Sequence, residues 1–479
     1  MTRRLTQVGV AFLVIYGLLF FRLEIVQVLN ANNLRDHPQN SREITLVFDK
    51  PRGSIRTADG EIVAQTVAVS SKQKRLRQYP YGPLYSHVGG FISAENGGSG
   101  LERTHNTFLA GEDLGVRIQD NRDLFIDRAR TGQIEISIRH DIQLITRAAM
   151  AGHVGAAVVI DPASGSVLGL WSGPGFDPNH LSSHDLTAAT TDYGVLLSDP
   201  EQPLLNRAEF QGREMGSLFT IVTAAAAIEQ KLSGFVVPPS QAVTPVDDSS
   251  VITHTDGVCG GNVASLMLTG CFPGWAILGE EIGRPTLNDV SQRLGLSGTG
   301  PIRLQGSPKG VSQVARLDVS ASHAAIGTGL EATPLQVAHL FATVANGGSR
   351  MQPRVVEKVL AHDGKVLQEF DPKVLRQSIS KETAAELREL LAQNVSHGTA
   401  QDLSISGMEV GGMVASQFLD NHVWAVVIAP VTLPEVVVAV LLEHDSFDDH
   451  QTAGANVAAI TRRITEAVLR LSSSNVGGS

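Results

Sequence analysis

Asn206-Arg207-Ala208-Glu209-Phe210-Gln211-Gly212-Arg213-Glu214-Met215-Gly216-Ser217-Leu218-Phe219-Thr220 decides how this chain is read. An alanine-rich apolar run follows it, so Gly216-Ser217 stands where a helix opens. A serine hydroxyl is a poor nucleophile until a neighbour takes its proton, and residues i and i+3 share a helix face. The residue at that position is Thr220, which cannot act as a base near neutral pH. The alternative role for Ser217 is a helix N-cap after Gly216. Whether this protein catalyses a reaction is therefore the central question.

The chain has 479 residues, room for one large domain and a smaller one. Acidic residues outnumber basic ones, 48 against 38, and the net charge of −10 argues against nucleic acid or an anionic membrane surface as a partner bound through charge. Residues 5–21 carry no charge, and the apolar character continues to Leu29. A single membrane anchor over residues 5–29 is expected, with residues 1–4 as a cytoplasmic tail because of Arg3 and Arg4, and the rest of the chain outside. A cleaved signal peptide is the competing reading, but no small-residue cleavage site precedes Ala31. Outside the membrane, Cys259 and Cys271 are candidates for a disulfide, the alternative being two unpaired small hydrophobes. Two cysteines without neighbouring histidines do not suggest a metal site, and nothing in the chain calls for a cofactor.

Pro51-Arg52-Gly53-Ser54-Ile55 and Ala58-Asp59-Gly60 read as strand, turn, strand, and residues 133–138 alternate as a half-buried strand before a helix that Asp141 is expected to cap. A buried hairpin runs from Ala156 through the Asp161–Gly165 turn to Trp171. Thr333-Pro334 opens a helix that stops at Asn346-Gly347-Gly348. Residues 421–427 and 434–440 are two adjacent antiparallel strands, and a helix from about residue 453 to 471 closes the domain.

In order along the chain, Arg52-Gly53-Ser54-Ile55, Tyr79-Pro80-Tyr81-Gly82, His87-Val88-Gly89-Gly90, Gly100-Leu101-Glu102-Arg103, Phe176-Asp177-Pro178-Asn179 and Asn206-Arg207-Ala208 eleven residues before Gly216-Ser217-Leu218-Phe219 resemble the class B penicillin-binding proteins. The resemblance covers nearly the whole chain and is closest to short, single-anchor members from actinobacteria-like sources. It implies an α/β (α+β) fold: a transpeptidase-like domain over residues 151–472 on a pedestal over residues 30–150, preceded by one transmembrane helix and followed by a flexible tail, 473–479.

Active members of that family carry Ser-x-x-Lys, Ser-x-Asn and Lys-Thr-Gly around one cleft. Here Thr220 replaces the lysine of the first. The second falls on Gly270-Cys271-Phe272, with neither hydroxyl nor amide at the required places. The third becomes Met413-Val414-Ala415, its register fixed by His422-x-Trp424. Losing the fixed cation removes electrostatic help to a substrate carboxylate and a developing oxyanion. Ser71-Lys72-Gln73-Lys74, Ser378-Ile379-Ser380-Lys381 and Arg130-Thr131-Gly132 mimic the motifs but lie in a pedestal segment, at a helix N-cap and in a turn. His422 is expected to pack and not to act as a base, and Cys271 lacks a basic neighbour that would activate it. Three elements altered within a readable framework argue for selection on the fold.

The expectation is a catalytically degenerate envelope protein. The resemblance implies a place in peptidoglycan assembly and a polytopic SEDS-type glycan polymerase as partner, met through anchor and pedestal, so that the chain scaffolds or regulates that polymerase. Two alternatives stand beside it: an active D,D-transpeptidase that binds penicillin through Ser217, and a sensor that holds a stem peptide or muropeptide on the strand edge at Val414 and Ala415 without turning it over.

Overall fold

The computed structural model describes residues 2–24, 50–70, 74–117, 130–245, 250–296, 320–417, 422–443 and 450–476. Thr2–Glu24 is one helix of 23 residues, on which Val10, Phe12, Leu13 and the apolar residues up to Phe21 are more than half exposed. Among the described residues, no helix is long and apolar enough to cross a membrane. Residues 25–29 of the expected anchor, Ser71 to Gln73, and residues 477–479 of the expected tail lie outside the described residues.

Two sheets organise the rest. The larger runs, in spatial order, Gly411–Gln417, His422–Ala429, Val436–Glu443, Val154–Ile160, Val167–Gly173, with every neighbouring pair antiparallel. Its central strands are apolar on both faces because both faces are covered. Side-chain alternation divides them: Val426, Ile428, Ala439 and Leu441 join one core with Leu218, Phe219 and Trp275, while Val427, Val438 and Val440 join a second core with Val457 and Ile464 of the closing helix, His450–Val476.

The smaller sheet runs Val366–Glu369, Val356–Leu360, Gln133–Ile136, Ile55–Arg56, Ile62–Ala68, Arg75–Gln78. Its first two strands come from far along the chain, so the division expected at residue 150 is crossed by a hairpin that completes the pedestal. In the other direction, the helix His140–Ala149 packs on the Val167–Gly173 strand and the closing helix. This helix begins one residue before Asp141, and its first free amide, the His140 N–H, is taken by the Asp59 carboxylate at 2.9 and 3.0 Å. Asp141 instead pairs with Arg139. The cap therefore comes from the Asp59-Gly60 turn of the pedestal, where no local pattern could announce it.

The two domains are bolted together by directional bonds. Asn179 reads both backbone groups of Tyr79, accepting from its N–H and donating to its carbonyl, each at 2.9 Å. Gln143 donates to Leu84 O and Leu170 O at 2.9 and 2.7 Å. His87 Nε2 meets Pro203 O at 2.9 Å, and burial pushes that imidazole down to about 4, so it is a neutral donor. Beneath this junction Glu102, fully buried, receives Arg52 Nε and Arg77 Nε, with Arg77 Nη1 continuing to Gly53 O. The Arg-Gly, Tyr-Pro and Gly-Leu-Glu segments are thus one knot. Further on, Thr333 and Gln336 close a capping box, and Gly347 and Gly348, at φ +59° and +81°, end that helix.

Candidate functional site

The segment leading to Ser217 is fastened to the larger sheet before the helix begins. Arg207 and Arg213 both pair with Glu443, the last residue of the Val436–Glu443 strand, at 3.2 and 3.0 Å. Arg213–Glu214 then makes a two-residue antiparallel ladder with Glu331–Ala332, extended by Met215 N–H to Leu330 O at 2.8 Å. The Glu214 carbonyl accepts from His422 Nε2 and Trp424 Nε1, both at 2.9 Å. Residues i and i+2 of a strand share a face, which is why His-x-Trp can deliver two donors to one acceptor. His422 is therefore a structural donor, and the bond requires its Nε2-protonated tautomer. Replacing Trp424 by Phe removes one of the two donors, and we expect a loss of about 1 kcal/mol in urea unfolding; an unchanged midpoint would show that His422 satisfies the carbonyl alone.

Gly216–Phe219 is a single 3-10 turn that feeds the helix Thr220–Glu229. Gly216 has φ +49°, and Gly327 lies so close that a Cβ on it would sit 2.2 Å from the Gly216 carbonyl. This tight floor leaves Ser217 half-buried. Its Oγ makes no hydrogen bond among the described residues. Thr220 is buried, and its hydroxyl donates to the Ser217 carbonyl at 2.7 Å. The residue one turn into the helix spends its proton on the backbone and not on the serine side chain.

The second stretch begins where the helix Val263–Thr269 ends. Gly270 is its left-handed stop, φ +61°, and Cys271 precedes, without a side-chain cap bond, the next helix, Phe272–Ile282, which packs on Thr220–Glu229. Cys271 is fully buried and bonded to Cys259, with Cα atoms 5.7 Å apart, so no thiolate is available there. Phe272 is half-buried at the first helical position.

The third stretch lies on the open edge of the larger sheet, packed directly against the Gly216–Phe219 turn. Met413 and Ala415, opposite Val426 and Trp424, are buried in the core that holds Leu218 and Phe219. Val414 faces the other core. The structure thus brings Ser217, Thr220 and the 413–415 strand together, and places the 270–272 stretch at the start of a neighbouring helix. At 413–415 the side chains this strand sends into the Leu218–Phe219 core are apolar.

The mimics fall elsewhere. Ser380 caps the helix Lys381–His397, accepting from Thr383 N–H at 3.0 Å, and Ser378 donates to Arg293 O at 2.7 Å. Gly132 bonds back to Phe108 O in the turn before its strand. The struts Arg213, Glu214 and Glu443 were not singled out from sequence; a buried arginine in Asn-Arg-Ala was the signal that a distant carboxylate must exist.

A serine at the mouth of an alanine-rich helix, faced by the edge strand of a five-stranded antiparallel sheet and standing on a bolted pedestal, defines the serine acyl-transferase architecture of bacterial cell-wall synthesis. The chain belongs to the penicillin-binding protein transpeptidase family: residues 155–466 match the penicillin binding protein transpeptidase domain, and residues 52–134 the penicillin binding protein A dimerisation domain. It is 31% identical to the peptidoglycan D,D-transpeptidase PbpA of Mycolicibacterium smegmatis over 98% of this chain and 99% of that one. To PbpA of Mycobacterium tuberculosis it is 29% identical over the same shares. Among solved structures, M. tuberculosis penicillin-binding protein A in its imipenem acyl-enzyme complex superposes with a TM-score of 0.82 at 27% identity, covering 88% of this chain and all of that one.

Proposed function

We propose that this family member serves cell-wall synthesis without turning over peptide substrate, as a membrane-anchored scaffold or regulator of a polytopic SEDS-type glycan polymerase. One observation carries the reading: Ser217 Oγ meets no hydrogen-bonding base among the described residues, and the residue placed for that task, Thr220, is bonded to backbone. The parts that would meet a partner are the pedestal with its buried Glu102 knot and an anchor over residues 5–29 with the N-terminus cytoplasmic, of which residues 5–24 lie in an exposed apolar helix.

Two other readings have support of their own. The relatives are named as D,D-transpeptidases, and one forms an imipenem acyl-enzyme, which favours an active enzyme using Ser217. The open edge at 413–415 favours a sensor that holds a stem peptide by backbone pairing. Fluorescent-penicillin labelling of the full chain separates the enzyme from both binding readings.

Complementation then tests the scaffold. Ser217→Ala should be silent: the helix cap expected at Ser217 is not formed, since Ser217 lies inside the 3-10 turn and its Oγ makes no hydrogen bond among the described residues, so little stability rests on the hydroxyl. Exchange of residues 1–29 for an unrelated membrane helix should weaken function, because packing between helices in lipid depends on shape. Full function with a foreign helix and none without the serine hydroxyl would transfer the assignment to the enzyme.

A further inference from the structure

A cleft of about 650 Å³ opens between the closing helix His450–Val476 and the turn that follows Gln401–Leu403. It lies against the core on the opposite face of the larger sheet from Ser217: Ile405 in its wall packs against the core that holds Val457, Ile464 and Val427, whereas Leu218 and Phe219 belong to the other core. Its lining is Ser404, Ile405, Ser406, Ala459, Arg462, Arg463 and Glu466. The site is open to solvent, with Ser404, Ser406, Ala459 and Arg463 exposed.

The charges in it are unequally committed. Glu466 is shared by Arg462 at 4.0 Å and Arg470 at 3.7 Å, so its negative charge is answered twice. Arg462 also donates to Asp402 O at 3.4 Å. Arg463 makes no hydrogen bond or ion pair among the described residues, and neither do the Ser404 and Ser406 hydroxyls. In a chain of net charge −10, this cleft therefore holds two arginines and one carboxylate, and Arg470 answers that carboxylate from outside the lining. A free guanidinium presents a planar fork of donors suited to two oxygens of one anion, and two hydroxyls beside it can complete the shell. Ile405 and Ala459 supply an apolar wall.

We propose that this cleft binds a small organic anion, a carboxylate or phosphate on a short apolar arm, with Arg463 as its principal counter-charge. The assignment is independent of whether Ser217 reacts. It is tested by calorimetric titration of the full-length chain in neutral detergent with N-acetyl-alanyl-alanine, with its C-terminal amide and with inorganic phosphate. The acid or phosphate should bind, the uncharged amide about tenfold or more weaker, and Arg463→Gln should lower the affinity for the bound anion by about tenfold with an unchanged thermal midpoint. Arg463→Lys should retain part of the affinity, since charge survives and the fork does not. Tighter binding of the acid identifies a peptide C-terminus as the source, and tighter binding of phosphate a phosphorylated ligand. The proposal is overturned if neither anion binds, if amide and acid bind alike while phosphate is silent, or if Arg463→Gln leaves the affinity intact.

Discussion

Incubated with excess penicillin G, the full-length chain is expected to return its unmodified mass. Acylation needs a base on the serine proton and a preorganised positive field on the developing oxyanion. Loss of a positioned base costs about a hundred- to ten-thousandfold, and loss of one electrostatic donor about a hundred- to a thousandfold. Here Thr220 is tied to Ser217 O and the strand offers buried Met413. A stoichiometric adduct abolished by Ser217→Ala would sink the degenerate reading. Restoring two cations, Thr220→Lys with Met413→Lys, should not recover labelling, since groups that act as a unit fail together. The backbone adds a reason: Gly270 stands at φ +61°, where a serine is strained by about 1–2 kcal/mol, so supplying the missing hydroxyl there would itself cost stability. Recovery in the double variant would mean that a second motif exists outside the 270–272 stretch.

The largest stability effect is expected at Glu102. Its carboxylate is fully buried between Arg52 and Arg77 and also accepts from Tyr79. Glu102→Ala strands two guanidinium groups against each other, at a cost of about 3–5 kcal/mol; Glu102→Gln, which keeps shape and an acceptor, should lose less. Burial alone would raise this carboxyl, but the two arginines outweigh it and hold it below the ordinary 4.5. The sign follows from linkage: the contribution is complete above the unfolded value and fades as pH falls through the folded one. Urea midpoints of wild type and Glu102→Gln should therefore converge below pH 4.5. Equal midpoints at neutral pH would refute the role of the charge.

Local grammar carried much of this architecture. The hairpin at Asp161–Gly165, the stop at Gly347-Gly348 and the paired strands after His422 each have a pattern set by neighbours in sequence. Ser217, Thr220 and Met413 were legible through the resemblance to the family's motifs, with helix spacing putting Thr220 on the face of Ser217 and the His422-x-Trp424 pattern fixing the register of Met413. Glu443 and Asp59 were not. Their roles arise from contacts 230 and 81 residues away, where no period connects donor to acceptor. The Arg463 cleft was invisible for the same reason: its serines and arginines are unremarkable until a helix end and a turn face each other.

The hairpin of residues 356–369 has a consequence for how this protein can be taken apart. Gln133–Ile136 is an interior strand only because Val356–Leu360 lies beside it. Cut after residue 150, the pedestal would present that strand as a raw edge, ready to recruit any other chain. A chimera that grafts a foreign pedestal must carry its own matching hairpin or leave the same gap. The pedestal is therefore finished by chain that belongs, in sequence, to the other domain, and neither can be exchanged as a simple segment.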